Sequence, residues 1–327
     1  MNFRPFAKTG WQIPEVGLGT WQLGGDWKKL DDKSAAAILR TAVDQGVRFF
    51  DTADVYGRGL SEERIGRFLR DCSERIIVAT KLGRFPEPGW PRNFSLENLR
   101  QHTENSLKRL GVEALDLTQL HCIPTDFLKR KETFDWLRIL QKEGKIRHFG
   151  VSVESMDEAL FCLEQDGVTS LQIIFSIFRQ KPIEVLFEKA KQKQVALIIR
   201  LPMASGLLSG KFSRQTLFAA DDHRQYNADG QAFNVGETFA GIPFAKGLEL
   251  VEQLKGFVPP GLTLSQLALR WILDHDAVSI VIPGATSIQQ VVANVNASRI
   301  PPLSSALHRN LQDFYQAVIQ PNIRGKY

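Results

Sequence analysis

Short apolar runs alternate with longer amphipathic segments along nearly the whole chain, and this alternation constrains the fold more than any other feature. The runs at residues 76–79 and 196–199 are apolar at every position, which is typical of parallel strands covered on both faces. We predict strands at residues 15–18, 47–51, 76–80, 116–121, 147–152, 171–175, 196–201 and 279–283. Eight strands, each followed by a helix or a long loop, favour an α/β fold whose parallel sheet closes into a (β/α)8 TIM barrel, a single domain over residues 1–327. An open, doubly wound sheet is the alternative.

The segments between the strands have the periodicity of amphipathic helices. Helices are predicted at residues 32–45, 61–69, 95–110, 131–143, 156–165, 184–193, 264–275 and 287–297, with a final helix at 304–318. Ser95 can cap one of these helices and Gly111 follows its last turn. Residues 205–244 are rich in Gly, Asp and Asn and form the most irregular segment. A loop this long inside a compact domain is usually functional or mobile.

Composition excludes several classes of protein. The chain is 43% hydrophobic and 24% charged with a net charge of +5, an ordinary globular balance, and no long run of Lys and Arg indicates a nucleic-acid-binding arm. No apolar stretch approaches the roughly 20 residues that span a bilayer, and the N-terminus lacks the apolar core of a signal peptide. The three cysteines show no metal-binding spacing. We therefore expect a cytoplasmic protein without a metal, a nucleic-acid partner or a membrane partner.

Four chemically distinctive side chains stand where predicted strands end, and in a barrel those ends share one face. Asp51, Lys81 and His121 end or follow three strands, and Tyr56 lies in the loop after the first of these. Each alone has an ordinary structural explanation, such as a loop cap or a solvated charge. Together they suggest a site in which Asp51 pairs with Lys81 and the ammonium lowers the pKa of the Tyr56 phenol. Tyr56 is then the candidate general acid, and His121 can hydrogen-bond a carbonyl oxygen.

Several stretches resemble the aldo-keto reductase superfamily, including its branch similar to potassium-channel β-subunits. They are Gly17-Leu18-Gly19-Thr20-Trp21, Asp51-Thr52-Ala53-Asp54-Val55-Tyr56-Gly57, Thr80-Lys81, Asp116-Leu117-Thr118-Gln119-Leu120-His121 and Ile282-Pro283-Gly284-Ala285, followed by Asn294. The resemblance implies a barrel that binds NAD(P)H without a Rossmann domain or a metal. It also implies that Asp51, Tyr56, Lys81 and His121 form the catalytic tetrad, with Tyr56 as the proton donor.

The resemblance also implies where the cofactor binds. Its expected contacts are Thr20, Trp21, Asp51, Ser152, Gln172, Arg200, Leu201, Pro202, Met203, Ala204, Ser205, Gly206, Lys211, Arg224, Gly284, Thr286, Gln290 and Asn294. Ser152 and Gln172 match residues that hold the nicotinamide carboxamide, although Val153 stands where the family usually has Asn. Arg200 replaces an aromatic residue that packs on the nicotinamide, and a planar guanidinium can also stack there. The loop at 201–211 matches the segment that holds the pyrophosphate.

The adenosine end determines the choice between NADPH and NADH. Gly284 and Gln290 stand where many members carry a Lys and an Arg for the 2′-phosphate. In the channel β-subunit branch, residues that match Thr286 and Arg224 help to hold this phosphate instead, while Gln290 and Asn294 match adenine contacts. We therefore expect NADPH, with NADH as the less favoured cofactor.

The substrate pocket is expected to include Trp21, Trp27, Tyr56, Trp90 and His121. The loops at 27–29 and 83–91 are expected to determine the substrate, a small carbonyl compound. Strand alternation places Cys122 on the face opposite His121, which argues against a redox role. The family's common state is a monomer.

Three functions remain open at this point. The first is an NADPH-dependent reductase of aldehydes or ketones. The second is a nucleotide-binding regulatory subunit with little turnover, as the channel β-subunit resemblance permits. The third is an NAD(P)+-dependent aldose dehydrogenase, which the departures at Val153 and Gly284 keep open.

Overall fold

The computed structural model describes residues 1–25 and 30–327, and its centre is a closed parallel sheet. The strands are β1 (Phe3–Pro5), β2 (Gln12–Pro14), β3 (Leu18–Gly19), β4 (Phe49–Asp51), β5 (Ile77–Leu82), β6 (Leu115–His121), β7 (Ile146–Ser152), β8 (Val168–Ile174), β9 (Ala196–Arg200) and β10 (Val278–Val281). From β3 to β10, each strand pairs with the next along the chain. Parallel bridges join Val16 to Val281 and Gly19 to Gly284, so the first and last strands meet. The predicted barrel is confirmed, and the open sheet is wrong.

Helices surround the sheet as one domain. They are α1 (Asp32–Asp44), α2 (Leu60–Arg70), α3 (Leu96–Leu110), α4 (Thr125–Leu128), α5 (Lys131–Lys142), α6 (Met156–Leu163), α7 (Pro182–Val185), α8 (Phe187–Gln192), α9 (His223–Tyr226), α10 (Phe244–Lys255), α11 (Leu264–Leu273), α12 (Ile288–Asn296) and α13 (Ser305–Phe314), which continues into a π-turn at Tyr315–Ile319. The helix predicted at 184–193 is interrupted at Leu186, between α7 and α8. No helix within the described residues combines the length and hydrophobicity needed to cross a bilayer.

The longest helix absent from the prediction is α10. It contains Gly247, which lowers helix propensity, but a Cβ at this position would lie only 2.7 Å from Cδ1 of Leu207. The glycine therefore allows α10 to pack closely against the turn at Ala204–Ser209.

A hairpin closes the amino end of the barrel. β1 and β2 pair antiparallel, and the Phe6 and Ile13 side chains are fully buried in the same apolar cluster as Phe49, the first residue of β4. The sequence pattern did not predict this hairpin, because each strand has three residues and ends in a proline, a residue that disfavours strands.

The inward-facing side chains change character from one end of the barrel to the other. Near the amino ends of the strands they form an apolar cluster: Phe49, Ile77, Ala79, Leu117, Ala196, Ile198 and Ile280. Because side chains on one face of a strand recur at every second residue, the next inward positions towards the carboxyl ends include Asp51, Lys81, Gln119 and Arg200. The strands therefore place buried polar groups at the carboxyl face.

The segment at 205–243 is more regular than the sequence suggested. It contains α9 and two short 3-10 helices, Val235–Glu237 and Phe239–Gly241. Phe212, Phe218 and Phe239 cluster with Phe244 of α10, which anchors the loop on the barrel. The Arg324 side chain adds a hydrogen bond from Nε to the carbonyl oxygen of Gly241, at 2.9 Å.

Candidate active site

A cavity of about 1260 Å³ opens at the carboxyl ends of the strands. Ligand pockets typically measure about 300–1,000 Å³, so this one has room for a dinucleotide and a second small molecule. Of the predicted site residues, Lys81 and Ala204 lie beneath its surface and Trp27 lies outside the described residues; all the others line it.

The base of the cavity holds a buried ion pair. Nζ of Lys81 lies 2.5 Å from Oδ1 of Asp51 and donates to the carbonyl oxygen of Thr52 at 2.8 Å. The other Asp51 oxygen accepts hydrogen bonds from Nε2 of Gln119 at 3.2 Å and of Gln172 at 2.7 Å. Both members of the pair are nearly inaccessible, and the three donors hold the carboxylate in one orientation.

Tyr56 completes this array, since Lys81 also donates to the Tyr56 hydroxyl oxygen at 3.2 Å. Burial raises the pKa of the phenol more than the Lys81 ammonium lowers it. The predicted net lowering of the phenol pKa is therefore wrong, although Lys81 acts in the expected direction. Burial lowers the pKa of Lys81, but the charges of Asp51 and Tyr56 outweigh it and raise the pKa overall. At neutral pH the site thus holds a protonated phenol beside an ammonium group.

The loop after β4 determines the position of Tyr56. Gly57, which follows it, has φ 58°, and a Cβ there would lie 2.1 Å from the carbonyl oxygen of Gly24. Only glycine allows this close approach of the two backbones. The sequence Tyr56-Gly57 therefore brings the phenol over the Asp51–Lys81 pair.

His121 and Trp21 flank the phenol. The Trp21 ring stacks on the Tyr56 ring with centroids 5.8 Å apart, and the His121 ring meets it edge-on, also at 5.8 Å. Burial holds the pKa of His121 well below its usual range, and the positive charges of Arg84, Lys81 and Arg200 lower it further. His121 is therefore neutral, and Nδ1 is buried with no hydrogen-bond partner among the described residues. Trp90 lies at the rim, 54% exposed, against Phe127.

Cys122 lies in the cavity, which corrects the expectation that it faces away. Its φ of 47° ends the strand geometry just after His121, so alternation no longer applies. The Cys122 Sγ lies 3.4 Å from the Ser152 hydroxyl oxygen and 3.5 Å from Nη2 of Arg200. Arg200 also donates to the carbonyl oxygen of Val153 at 3.2 Å. This part of the cavity is therefore polar and thiol-lined.

Three further charged residues form an ion-pair network that sequence reasoning missed. Nη2 of Arg84 lies 3.1 Å from Oε1 of Glu154 and 3.5 Å from Oε1 of Glu237, and Nη1 of Arg200 lies 3.5 Å from the same Glu237 oxygen. Cys122, Glu154 and Glu237 bring possible metal ligands together, but the two guanidinium groups already neutralise both carboxylates. The one available signal was the position of Arg84 within the predicted substrate loop at 83–91.

The cavity's chemistry fits a dinucleotide. Buried polar atoms are normally hydrogen-bonded, yet Arg200 Nε and Gln119 Oε1 have no hydrogen-bond partner among the described residues. The following loop has positive φ at Leu201, Ala204, Ser205 and Gly206. Left-handed backbone of this kind creates concave surfaces lined by backbone groups that suit phosphate, and non-glycine residues adopt it at a cost that is usual at functional sites.

The far end of the cavity gathers the residues predicted to bind adenosine. Nε of Arg224 donates to Oδ1 of Asp222 at 2.9 Å, and the guanidinium lies over the Phe218 ring at 4.5 Å. Oε1 of Gln290 accepts hydrogen bonds from the backbone N–H of Thr286 at 2.7 Å and from its hydroxyl at 3.1 Å. Nδ2 of Asn294 donates to the carbonyl oxygen of Gly284 at 3.3 Å. These groups are therefore oriented in advance at one edge of the cavity.

The sequence matches known proteins over nearly its full length. A family model described as "Aldo/keto reductase family" matches residues 15–316. The chain is 30% identical to "Aldo-keto reductase YhdN" of Bacillus subtilis over 90% of this chain and 87% of that one. It is 27% identical to "Aldo-keto reductase yakc [NADP(+)]" of Schizosaccharomyces pombe over 92% and 88% of the two chains. It is 28% identical to a "Probable voltage-gated potassium channel subunit beta" of Oryza sativa subsp. japonica over 98% and 97%.

Solved structures share the fold over the same extent. The holo form of aldo-keto reductase AKR11C1 from Bacillus halodurans superposes with a TM-score of 0.77 at 29% identity, covering 96% of each chain. The glycerol dehydrogenase AKR11B4 from Gluconobacter oxydans gives a TM-score of 0.77 at 28% identity, covering 99% of this chain and 98% of that one. The barrel and its carboxyl-face cavity thus belong to a known architecture.

Proposed function

The chain belongs to the aldo/keto reductase family and is an NAD(P)H-dependent oxidoreductase of carbonyl and alcohol groups, and from this premise we propose that it reduces aldehydes and ketones to alcohols with NADPH. The observation that carries the proposal is the buried array of Asp51, Lys81 and Tyr56 at the base of the cavity. A neutral imidazole, His121, lies beside the phenol.

In the proposed reaction, Tyr56 donates its phenolic proton to the carbonyl oxygen. Bound NADPH would supply the hydride that reduces the carbonyl carbon and would thereby be oxidised to NADP+. The Lys81 ammonium stabilises the phenolate that remains, and Asp51 keeps that ammonium charged and oriented. His121 hydrogen-bonds the carbonyl oxygen and orients it towards the phenol. The products are the alcohol and a deprotonated Tyr56, which recovers its proton from solvent before the next cycle.

The proposed cofactor is NADPH, with its adenosine held by the residues at the far end of the cavity. Arg224 supplies positive charge there, Lys211 belongs to the loop expected to hold the pyrophosphate, and the Thr286 hydroxyl hydrogen-bonds Gln290 at the adenosine edge. One relative carries NADP(+) in its name. Ser152 and Arg200 would lie at the nicotinamide end, beside the catalytic array.

Two other functions have some support from the names of relatives. A channel β-subunit relative favours a regulatory subunit in which cofactor occupancy matters and turnover is negligible. The glycerol dehydrogenase favours oxidation of an alcohol, the direction of the NAD(P)+-dependent aldose dehydrogenase that the sequence left open. The complete proton-donor array supports catalysis over a purely regulatory role, and it serves either direction of the reaction.

The decisive experiment follows NADPH absorbance in the presence of 4-nitrobenzaldehyde. General acid catalysis contributes about 10²–10⁴-fold, so we expect Tyr56→Phe to lower kcat by a factor in this range while the Kd for NADPH, measured by fluorescence, stays nearly constant. Tyr315→Phe is the matched control, because Tyr315 is a buried phenol that does not line the cavity. Undiminished reduction by Tyr56→Phe would exclude Tyr56 as the acid. NADPH binding without turnover in the wild type would favour the regulatory subunit.

A further inference from the structure

Arg84 presents unused hydrogen-bond donors to the cavity. It lies two residues after the end of β5, and both of its ion pairs, to Glu154 and to Glu237, are made through Nη2. No acceptor for Nε or Nη1 occurs within residues 1–25 and 30–327, and neither atom is among the buried ones that lack partners. Three N–H groups of the guanidinium are therefore open to a ligand in the cavity that Arg84 lines.

The accessible surface of the network indicates which sign of charge a ligand meets. The Arg84 side chain is 26% accessible and that of Glu154 is 16% accessible. The second pair is more enclosed, at 10% for Arg200 and 8% for Glu237. The carboxylates therefore serve mainly to hold the two guanidinium groups in place, and the most accessible charge is the cation of Arg84.

The charged groups that act on His121 also include cations. The charges that depress the pKa of His121 come from Arg84, Lys81 and Arg200. Three cations therefore lie near the place where His121 and Tyr56 would hold a carbonyl group, and the carboxylates of Asp51 and Glu237, which also act on Tyr56, are paired with these cations. Aromatic side chains complete the pocket beside Arg84, and its guanidinium carbon lies 5.9 Å from the centre of the Phe233 ring.

We propose that Arg84 is a substrate-binding residue that receives a carboxylate, so that the preferred substrates are carbonyl compounds carrying an anionic carboxylate group. This inference rests on the proposed reductase function. A carboxylate oxygen accepts hydrogen bonds from Nε or Nη1, while the body of the substrate packs on Phe233 and its carbonyl oxygen meets Tyr56 and His121. Glu154 and Glu237 act as positioning residues, because their pairs with Nη2 fix the guanidinium.

The test compares kcat/KM for 4-carboxybenzaldehyde and 4-formylbenzamide at saturating NADPH. The two aldehydes have nearly the same shape, and the neutral amide is the more electrophilic, so chemistry alone favours the amide. A hydrogen bond between ionised groups discriminates by about tenfold or more, and we expect the wild type to prefer the carboxylate by that factor. This comparison needs no substitution, so a variant that fails to fold does not remove the test.

Variants then assign the preference to one residue. Arg84→Gln should bring the ratio to about 1 or below, because Glu154 and Glu237 remain and repel a carboxylate. Arg84→Lys should retain part of the preference. Arg100→Gln is the matched control: it makes the same change at an arginine whose ion pair, with Glu143, lies outside the cavity lining, and it should leave the ratio unchanged.

Three results would overturn the proposal: a wild-type ratio near 1, a preference for the amide, or a preference that survives Arg84→Gln. An equal fall of the ratio in Arg100→Gln would also overturn it, since it would indicate that the fall does not depend on the charge of Arg84. Failure of the reductase function is distinguishable, because neither aldehyde would then oxidise NADPH. If only the present inference fails, both aldehydes are reduced with similar kcat/KM.

Discussion

The two ends of the barrel interior are built on the same strands and have opposite chemistry. On β4, Phe49 faces inward at the amino end and Asp51 faces inward two residues later. β6 repeats the change, with fully buried Leu117 below and Gln119 above. The two layers are only about 7 Å apart, the distance spanned by two residues of a strand.

The difference between the layers separates stability from function. The lower layer, closed by Phe6 and Ile13 of the hairpin, is an apolar cluster that is stabilised by exclusion of water alone. The upper layer contains a buried ion pair and polar atoms without partners among the described residues, such as Nε of Arg200. A chain retains such costly features where a ligand is to be bound. The comparison therefore predicts that substitutions below reduce stability and substitutions above change chemistry.

The largest loss of stability is expected from breaking the Asp51–Lys81 ion pair of the upper layer. Lys81→Met leaves Asp51 buried without its cation, and breaking a buried pair costs about 3–5 kcal/mol. We expect the free energy of unfolding in urea to fall by this amount and aldehyde reduction to be lost. The upper layer thus contributes to stability only through the balance of its charges.

The double variant Asp51→Asn/Lys81→Met sharpens this expectation. Removing both charges should restore at least about half of the lost stability, because a neutral replacement of a buried pair is often tolerated. Reduction should remain absent, since no ammonium stabilises the Tyr56 phenolate. Restoration of activity in the double variant, or a double variant less stable than Lys81→Met, would contradict the separation of the two roles.

A smaller effect is expected from the lower layer. Leu117→Ala should reduce the free energy of unfolding by about 3 kcal/mol, within the range for a buried leucine that leaves a cavity. The Kd for NADPH and the kcat of the folded enzyme should stay within a factor of about two, because Leu117 does not line the cavity. Leu117→Met is the control and should cost less than about 1.5 kcal/mol. A marked loss of NADPH affinity in Leu117→Ala would show that the two layers are mechanically coupled.

The same two layers explain how much of the molecule could be predicted. The carboxyl ends of barrel strands share one face, and this general rule placed Asp51, Lys81 and His121 together from the sequence. Strand alternation failed one residue later, because Cys122 adopts a φ of 47° and turns into the cavity. A change of backbone region at a strand end leaves no mark on hydrophobic periodicity.

Contacts between loop residues are the second kind of feature that could not be predicted from the sequence. Arg84 and Glu237 are far apart in the chain and meet over the cavity, but no pattern in a single sequence pairs one loop charge with another. The predicted direction of the Tyr56 pKa shift was also wrong, because the effect of burial depends on packing that the sequence does not show. The hairpin of β1 and β2 was missed because its prolines mask a strand pattern. Trp27, which was predicted to line the substrate pocket, lies outside the described residues.

The smallest effect is expected at the adenosine end of the cavity, where the charge of Arg224 is expected to select NADPH over NADH. Arg224 lines the cavity, and its side chain is 17% accessible. If it contacts the 2′-phosphate, Arg224→Ala should raise the Kd for NADPH about tenfold, the usual value of one charge-assisted hydrogen bond, and leave the Kd for NADH nearly unchanged. Lys211→Ala is the matched control, because a pyrophosphate contact affects both cofactors equally. Equal losses for NADPH and NADH in Arg224→Ala would place the phosphate contact at another residue, whereas a selective loss would show that this edge distinguishes ligands without supporting the fold.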